Sequence, residues 1–391
     1  MISIREIQTV STKWGIGQRV VEKDYALGWL LAGISQHPEL SETWVFKGGT
    51  CLRKCYYETY RFSEDLDFTV TDPSLMSPEK LLSIFGEISE WIKSNVGIEL
   101  ELSENSFKSY PNKRGKLSTQ GKIGFIGPEA KPTTPKVKLD LANDELLASP
   151  SEQRRVTHEY SDWNSETSVL SYSLEELAAE KIRALAQRCR PRDLYDVVHL
   201  CRNPNLVGRG AYIHSLLQSK SEFVGILTPT LELVQTEENY QNIVADWEGM
   251  LGHQLPPPLI PADIFWNKLP EIFEWLAGQS LIAKLSPAEI GNDGSVLLNP
   301  SSVNFARFGF DMNLLRYCAF NLVKIALYYV PEKGEEGWRL VEPYSLRQTQ
   351  DGKILLYLVN ERGCLRSYRL DRIQGIRASN EPFIPKFKIE I

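Results

Sequence analysis

The six cysteines of this 391-residue chain, at positions 51, 55, 189, 201, 318 and 364, contain no CxxC pair and no metal-ligand spacing. This argues against a disulfide framework or a cysteine metal site and reads as the scattered thiols of a cytoplasmic protein. No uninterrupted apolar run approaches ~18 residues, so no transmembrane helix and no membrane partner are expected. Residues 1–15 lack the basic-then-apolar layout of a secretory signal. There is no excess of positive charge either. The net charge is −6, so overall charge does not advertise nucleic-acid binding. Internal repeats are absent, and the length predicts two or three domains.

The charge is unevenly placed. Residues 301–391 carry 14 Lys and Arg against 10 Asp and Glu, which leaves residues 1–300 at −10. An acidic N-terminal part and a mildly basic C-terminal part are expected to be separate modules. The stretch 278–302, rich in Gly, Ser, Asn and Pro, reads as their connection.

What is present is concentrated near the start. Val45-Phe46-Lys47-Gly48-Gly49-Thr50 reads as a strand running into two glycines, whose backbone amides can approach a triphosphate closely. After a helix-like stretch to about Tyr60, Arg61-Phe62-Ser63-Glu64-Asp65-Leu66-Asp67-Phe68 opens a second strand. Asp65 and Asp67, spaced i and i+2, leave the same face and can share a divalent metal. Val137-Lys138-Leu139-Asp140-Leu141 offers a third acid on an alternating strand. Asp140 completes a metal cage or belongs to an ordinary polar face with Lys136 and Lys138.

Helices are expected over Gln18–Ser35, from Ser77-Pro78 to about Lys93, and from the capping box Ser173-Leu174-Glu175-Glu176 to about Cys189. Pro191 interrupts the last, and another helix runs from Arg192 to about Cys201. Lys181, Ala184 and Arg188 fall on one stripe, the small residue leaving room for a nucleotide beside the lysine. Arg188, Arg190 and Arg192 make a phosphate-sized basic cluster around the helix break. Asp193 and Asp196 sit within it, either orienting arginines or serving as an acid or base. Past Met312 the pattern becomes short strands (323–330, 338–341, 354–359, 364–370 and 387–389), with turns at Asp351-Gly352 and Arg362-Gly363.

Taken together, Lys47-Gly48-Gly49-Thr50, Arg61-x-Ser63-x-Asp65-x-Asp67, Lys181-x-x-Ala184 and Arg188-x-Arg190-x-Arg192-Asp193-x-Tyr195-Asp196 resemble the AbiEii/AbiGii abortive-infection nucleotidyltransferase toxins. Glu22-Lys23-Asp24-Tyr25 is similar to that family's N-terminal signature, and the resemblance covers about residues 15–280. It implies an α+β fold: a polymerase-β-like core with a mixed sheet over residues 1–205, then a helical region over 206–280. By match, Asp65 and Asp67 bind Mg²⁺ or Mn²⁺, Lys181 contacts the NTP, and Asp193 is needed for activity. Lys47, Gly48, Gly49, Thr50, Arg61, Ser63, Arg188, Arg190 and Arg192 are the remaining nucleotide- and phosphate-binding candidates. The family usually has Lys where Arg190 stands.

The reaction implied is attack on the nucleotide α-phosphate with loss of pyrophosphate. RNA, tRNA in particular, leads as acceptor, with protein or small-molecule acceptors left open and a cognate antitoxin suggested as a partner.

After the connection, here 281–302, residues 303–391 resemble a WYL domain, a small SH3- or Sm-like β-barrel. The resemblance rests on Ile325-x-x-Tyr328, Arg339-Leu340-Val341-Glu342-Pro343, Leu356-Tyr357-Leu358 and Arg366-x-Tyr368-x-Leu370-Asp371-Arg372-Ile373. Leu356 stands where the name-giving motif has Trp. The resemblance makes Tyr357, Arg366, Arg372 and, at opposite parity, Arg369 candidates for binding a nucleotide or nucleic acid. The alternative is a tyrosine packed in the barrel beside surface ion pairs. A non-enzymatic regulator is the competing class, but no basic helix-turn-helix pattern precedes residue 312.

Overall fold

A computed structural model describes residues 1–57, 61–112, 114–129, 134–163, 166–279, 285–291, 293–298, 303 and 305–391. Helices α1 (Ile4–Trp14) and α2 (Gln18–Gln36) precede the first sheet strand. That sheet contains β1 (Trp44–Lys47), β2 (Asp65–Val70), β3 (Glu99–Glu101), β4 (Phe107–Pro111), β5 (Leu117–Ile126), β6 (Lys136–Ala142), β7 (Glu152–Arg155) and β8 (Ser168–Ser171). The spatial order is β3-β5-β6-β2-β1-β8-β7, with β4 also on β5. β2 runs parallel to β6 and β1 to β8, and the other pairs are antiparallel, so the sheet is mixed as expected.

Alternation fixes which face is covered. On β6, Val137, Leu139 and Leu141 are buried while Lys136, Lys138 and Asp140 turn the other way. The buried face is covered by α2 and by α3 (Pro78–Val96), which Ser77 caps through Lys80 N–H. The opposite face therefore carries the polar residues of β2, β6 and β5.

Behind the sheet in sequence come α4 (Leu174–Arg188) and α5 (Pro191–Cys201). Ser173 caps α4, Cys189 ends it in the left-handed region, and Pro191 starts α5 at a position that needs no N–H donor. The helical region follows with α6 (Gly210–Phe223), α7 (Glu237–Leu251) and α8 (Leu269–Leu276).

Helix α9 (Met312–Phe320) opens the C-terminal module, capped by Asp311. Its sheet comprises β9 (Val296–Leu297), β10 (Val323–Tyr329), β11 (Gly337–Gln348), β12 (Ile354–Val359), β13 (Leu365–Arg369) and β14 (Ile373–Pro382). Two expectations are corrected here. The order β13-β12-β11-β10-β14, with β9 on β11, contains no β13–β14 pair, so the barrel is not closed. The 3₁₀ turn Leu370–Arg372, anchored by fully buried Leu370, carries the chain from one edge of the sheet to the other. Second, the expected strand at 387–389 gives way to an isolated bridge, Ser345 to Glu390.

The expected connection is only partly linker. Residues 280–284, 292, 299–302 and 304 lie outside the described set, yet β9 joins the C-terminal sheet and Ala288 is fully buried against it. One contiguous apolar cluster runs from α2 and the first sheet through α5 to α9 and β10.

Candidate active site

The stretch expected as a helix from Thr50 to about Tyr60 is one α-turn (Gly48–Cys51) and one π-turn (Leu52–Tyr56), and residues 58–60 lie outside the described set. Gly48 adopts φ +82°, and a Cβ there would come within 2.3 Å of Asp67 Oδ2. Only glycine lets the backbone pass beneath that carboxylate. A Cβ on Gly49 would meet the Arg61 guanidinium at 2.5 Å and Ser63 Oγ at 3.1 Å. Thr50 donates its hydroxyl to the Asp65 carbonyl, tying the turn to β2.

Strand register sets the rest. Lys47 faces Asp67, Asp67 faces Asp140, and Asp140 faces Gln120 across β1, β2, β6 and β5. In the neighbouring row Asp65 faces Lys138, which faces Lys122. The structure thus brings all three acids onto one sheet face. Withdrawal from water pushes the Asp67 carboxyl up to about 6, Asp140 and Asp65 adding to the rise against Lys47 and Lys181. Asp65 is raised by the same withdrawal, with Asp140 adding and Lys138, Lys23 and Arg192 opposing. Asp140 is already engaged: Gln120 Nε2 donates to it at 3.0 Å and Lys138 pairs with it.

Among the described residues no three His, Cys, Asp or Glu form a ready-made metal cage. The donor set nevertheless suits a hard cation. Asp65 and Asp67 accept no side-chain hydrogen bond from any described residue and repel one another, as oxygen ligands held for Mg²⁺ or Mn²⁺ do.

The basic residues are placed less uniformly than their spacing suggests. Arg61 Nε and Nη2 donate to the two oxygens of Asp196 at 2.7 and 2.8 Å, and Nη1 donates to Gln254 Oε1 at 3.0 Å. Fully buried, Arg61 braces the glycine turn against α5 and the helical region, and it does not face the cleft. Lys181 Nζ lies 2.6 Å from Asp196 and 3.9 Å from Asp193. Arg61 and Lys181 outweigh burial and hold Asp196 well below the usual carboxylate range. Arg188 donates to both oxygens of Asp193 at 2.7 and 2.8 Å. Asp193 and Asp196 are thus each paired with basic side chains of the cluster, Asp193 with Arg188 and Asp196 with Arg61 and Lys181. Arg190 is exposed, and Arg192 lies near enough to influence Asp65. Ser63 lies against Gly49 beneath the turn.

Glu145 was not anticipated from the sequence. It pairs with Lys47 and accepts from Thr69 Oγ1 at 2.9 Å and Tyr172 Oη at 3.2 Å. Burial would lower the Lys47 pKa, but Glu145, Glu180 and Asp67 raise it beyond the usual lysine value. No pattern around Asn143-Asp144-Glu145 marks it, because its partners come from three other strands or turns. Gln254 was missed for the same reason.

In the C-terminal module, Tyr357 is buried and its hydroxyl contacts Asp293 and Ser295, the latter at 2.8 Å. Arg369 pairs with Asp371, and Arg372 with Glu332 at 3.2 Å. Arg366 is exposed at the same parity as Tyr368, whose ring stacks on Tyr329 at 4.1 Å.

The described residues contain no helix long and apolar enough to cross a membrane. A family model for the nucleotidyl transferase AbiEii toxin of type IV toxin–antitoxin systems matches residues 29–276, and one for the WYL domain matches 313–378. No curated protein matches the chain. Among solved structures, MenT4, a nucleotidyltransferase toxin from Mycobacterium tuberculosis, is 19% identical. It aligns over 72% of this chain and 91% of its own with a TM-score of 0.52, a likeness of fold. Proteasome accessory factor B/C of Arthrobacter aurescens aligns over 64% of this chain and 45% of its own, at 15% identity and a TM-score of 0.16.

Proposed function

This chain belongs to the AbiEii nucleotidyltransferase toxin family and carries a WYL domain, and from that premise we propose a metal-dependent enzyme that moves a nucleoside monophosphate from an NTP onto RNA, tRNA foremost. The observation that supports it is the pair Asp65 and Asp67, raised in pKa and with carboxylates that accept no side-chain hydrogen bond from any described residue, beside a glycine turn whose backbone passes under Asp67.

The acceptor hydroxyl oxygen forms a bond to the α-phosphorus as the bond to the β-phosphate bridging oxygen breaks and pyrophosphate leaves. Asp65 and Asp67 would hold Mg²⁺ or Mn²⁺, which when bound would supply charge neutralisation for the attacking and leaving oxygens. The Gly48 and Gly49 amides cradle phosphate oxygens. Lys47, kept protonated by Glu145, and Lys181, fixed by Asp196, place positive charge on either side of Asp67. Arg192, near enough to act on Asp65, meets remaining phosphate charge, and exposed Arg190 two residues before it is a further candidate. Arg188 serves through Asp193.

In the C-terminal module, Arg366 with the stacked Tyr368–Tyr329 pair suits a nucleotide or nucleic-acid ligand. Tyr357 has an interior role, tying β12 to the segment before β9. A cognate antitoxin is a further expected partner.

The test is incubation of the protein with Mg²⁺, each α-labelled NTP in turn and total RNA. Label is expected in a tRNA-sized band with one or two nucleotides and absent with Asp65→Ala. Label confined to protein or to a small acceptor refutes the RNA assignment.

A further inference from the structure

The sheet face that bears the three acids continues beyond them. Across β6, β5 and β4 the residues on that face are Lys136, Lys138 and Asp140, then Gln120, Lys122 and Gly124, then Lys108 and Tyr110. Lys108 faces Gln120, which faces Asp140, which faces Asp67, so one cross-strand row links the outer lysine to the metal-binding acid. Lys108, Lys122 and Lys136 are exposed and form no ion pair with any described residue. They line a groove of about 410 Å³ in which Glu101 is the only carboxylate among the described lining residues. Strand spacing puts β5 and β4 about 10 and 15 Å from β2. Three lysines without an ion-pair partner among the described residues, in a chain of net charge −6, suit a polyanion.

We propose that this open lysine face of β4, β5 and β6 is the track for a single-stranded polynucleotide whose 3′ end reaches Asp65, opposite the β1 flank where the NTP binds. The assignment rests on the RNA reading above and gives it a direction. Lys47 and the glycine turn occupy the β1 side of Asp67. The lysines occupy the β6 side, and Lys138 joins them to Asp65 through the second cross-strand row. Tyr110, 43% exposed on the same face, offers a ring for a base, which favours a nucleic acid over an acidic protein.

The test uses the full-length protein and a fluorescein-labelled single-stranded RNA oligonucleotide, with affinity read by anisotropy over a salt series. Each phosphate contact removed from a single strand lowers the log–log salt slope by about 0.7. Lys108→Ala/Lys122→Ala/Lys136→Ala should therefore flatten it by about 2, with an unchanged melting temperature. Tyr110→Ala should weaken binding by roughly fivefold or more at an unchanged slope. Lys93→Ala, on α3 behind the sheet, should keep the wild-type slope.

A triple variant with the wild-type slope overturns the track, and if the wild type still labels RNA, the RNA reading survives that failure. Wild-type protein that neither binds nor labels RNA overturns both. Tighter binding to polyglutamate than to RNA reassigns the face to an acidic protein and also overturns the proposal.

Discussion

At the residue scale the sheet holds a carboxylate withdrawn from water beside two others, only partly offset by Lys47 and Lys181. Asp67 titrates near 6 in the folded chain, above its ordinary value. A carboxyl raised in the folded state binds its proton more tightly there than in the unfolded chain, so its contribution to stability falls as pH rises from about 4 to 6. Without divalent metal, Asp67→Asn should therefore be more stable than wild type at pH 7, by about 3 kcal/mol, and the gap should close toward pH 4. Urea melts at the two pH values measure it. Added Mg²⁺ should stabilise wild type and leave the variant unmoved. Gly48→Ala is expected to displace Asp67, because its Cβ has no room, and to lose transfer activity altogether in the labelling assay. Lys181→Ala should lose activity and also fold less stably, on the order of 3 kcal/mol, since it removes one of the buried cations paired with Asp196. Asp65→Ala should leave the melting temperature nearly unchanged.

At the element scale α5 holds the structure's two halves. Its first turns carry Asp193 and Asp196, and its last turn meets the C-terminal module. There His199 stacks on Phe320 at 4.4 Å and its Nε2 pairs with Asn321 Oδ1 at 2.9 Å, while Arg202 Nη1 donates to the Asn321 carbonyl at 3.1 Å. Burial, with Arg202 adding, pushes the His199 pKa well below its usual value, so it is neutral here. A histidine depressed on folding costs stability as pH falls below its unfolded value near 6.5. His199→Phe should lessen acid sensitivity between pH 6.5 and 5 in thermal melts. Asn321→Ala should cost about 1–3 kcal/mol by removing the amide that pairs with that buried ring nitrogen.

Such elements were partly legible. The caps of α3 and α4 and the prolines opening α3 and α5 stand in the sequence as local chemistry. So does the i, i+2 pair on β2. β14 was not legible: its run Ile373–Pro382 is mostly polar because it lies at a sheet edge. β11 extends well past the expected 338–341, continuing through Pro343, where the structure has a register shift. The arginine cluster was legible as charge and illegible as geometry. Spacing shows that Arg61 and Arg188 are near phosphate-binding motifs. It cannot show that Asp196 and Asp193 have already claimed them.

At the scale of the whole molecule, the composition shift near residue 300 marks a change of charge and of secondary structure, yet the apolar core runs across it. Phe320 packs on His199 and Tyr57, and Leu315, Tyr317 and Cys318 join the same cluster. Removing residues 303–391 strips Leu315, Tyr317, Cys318 and Phe320, among others, from that cluster, a loss of at least about 5 kcal/mol. The truncated protein is expected to aggregate or melt well below the full chain, and the intact chain to unfold in one calorimetric transition. Two resolved transitions, or a truncated core that stays monomeric with the full melting temperature, would show the modules to be thermodynamically independent. Contacts from α5 reach both halves. If a ligand on the C-terminal sheet favoured one seating of α9 against His199, it would change NTP affinity by some factor, and NTP would change that ligand's affinity by the identical factor. Either site is thus a reporter for the other, and titrating one while reading the other measures the coupling without knowledge of the reaction.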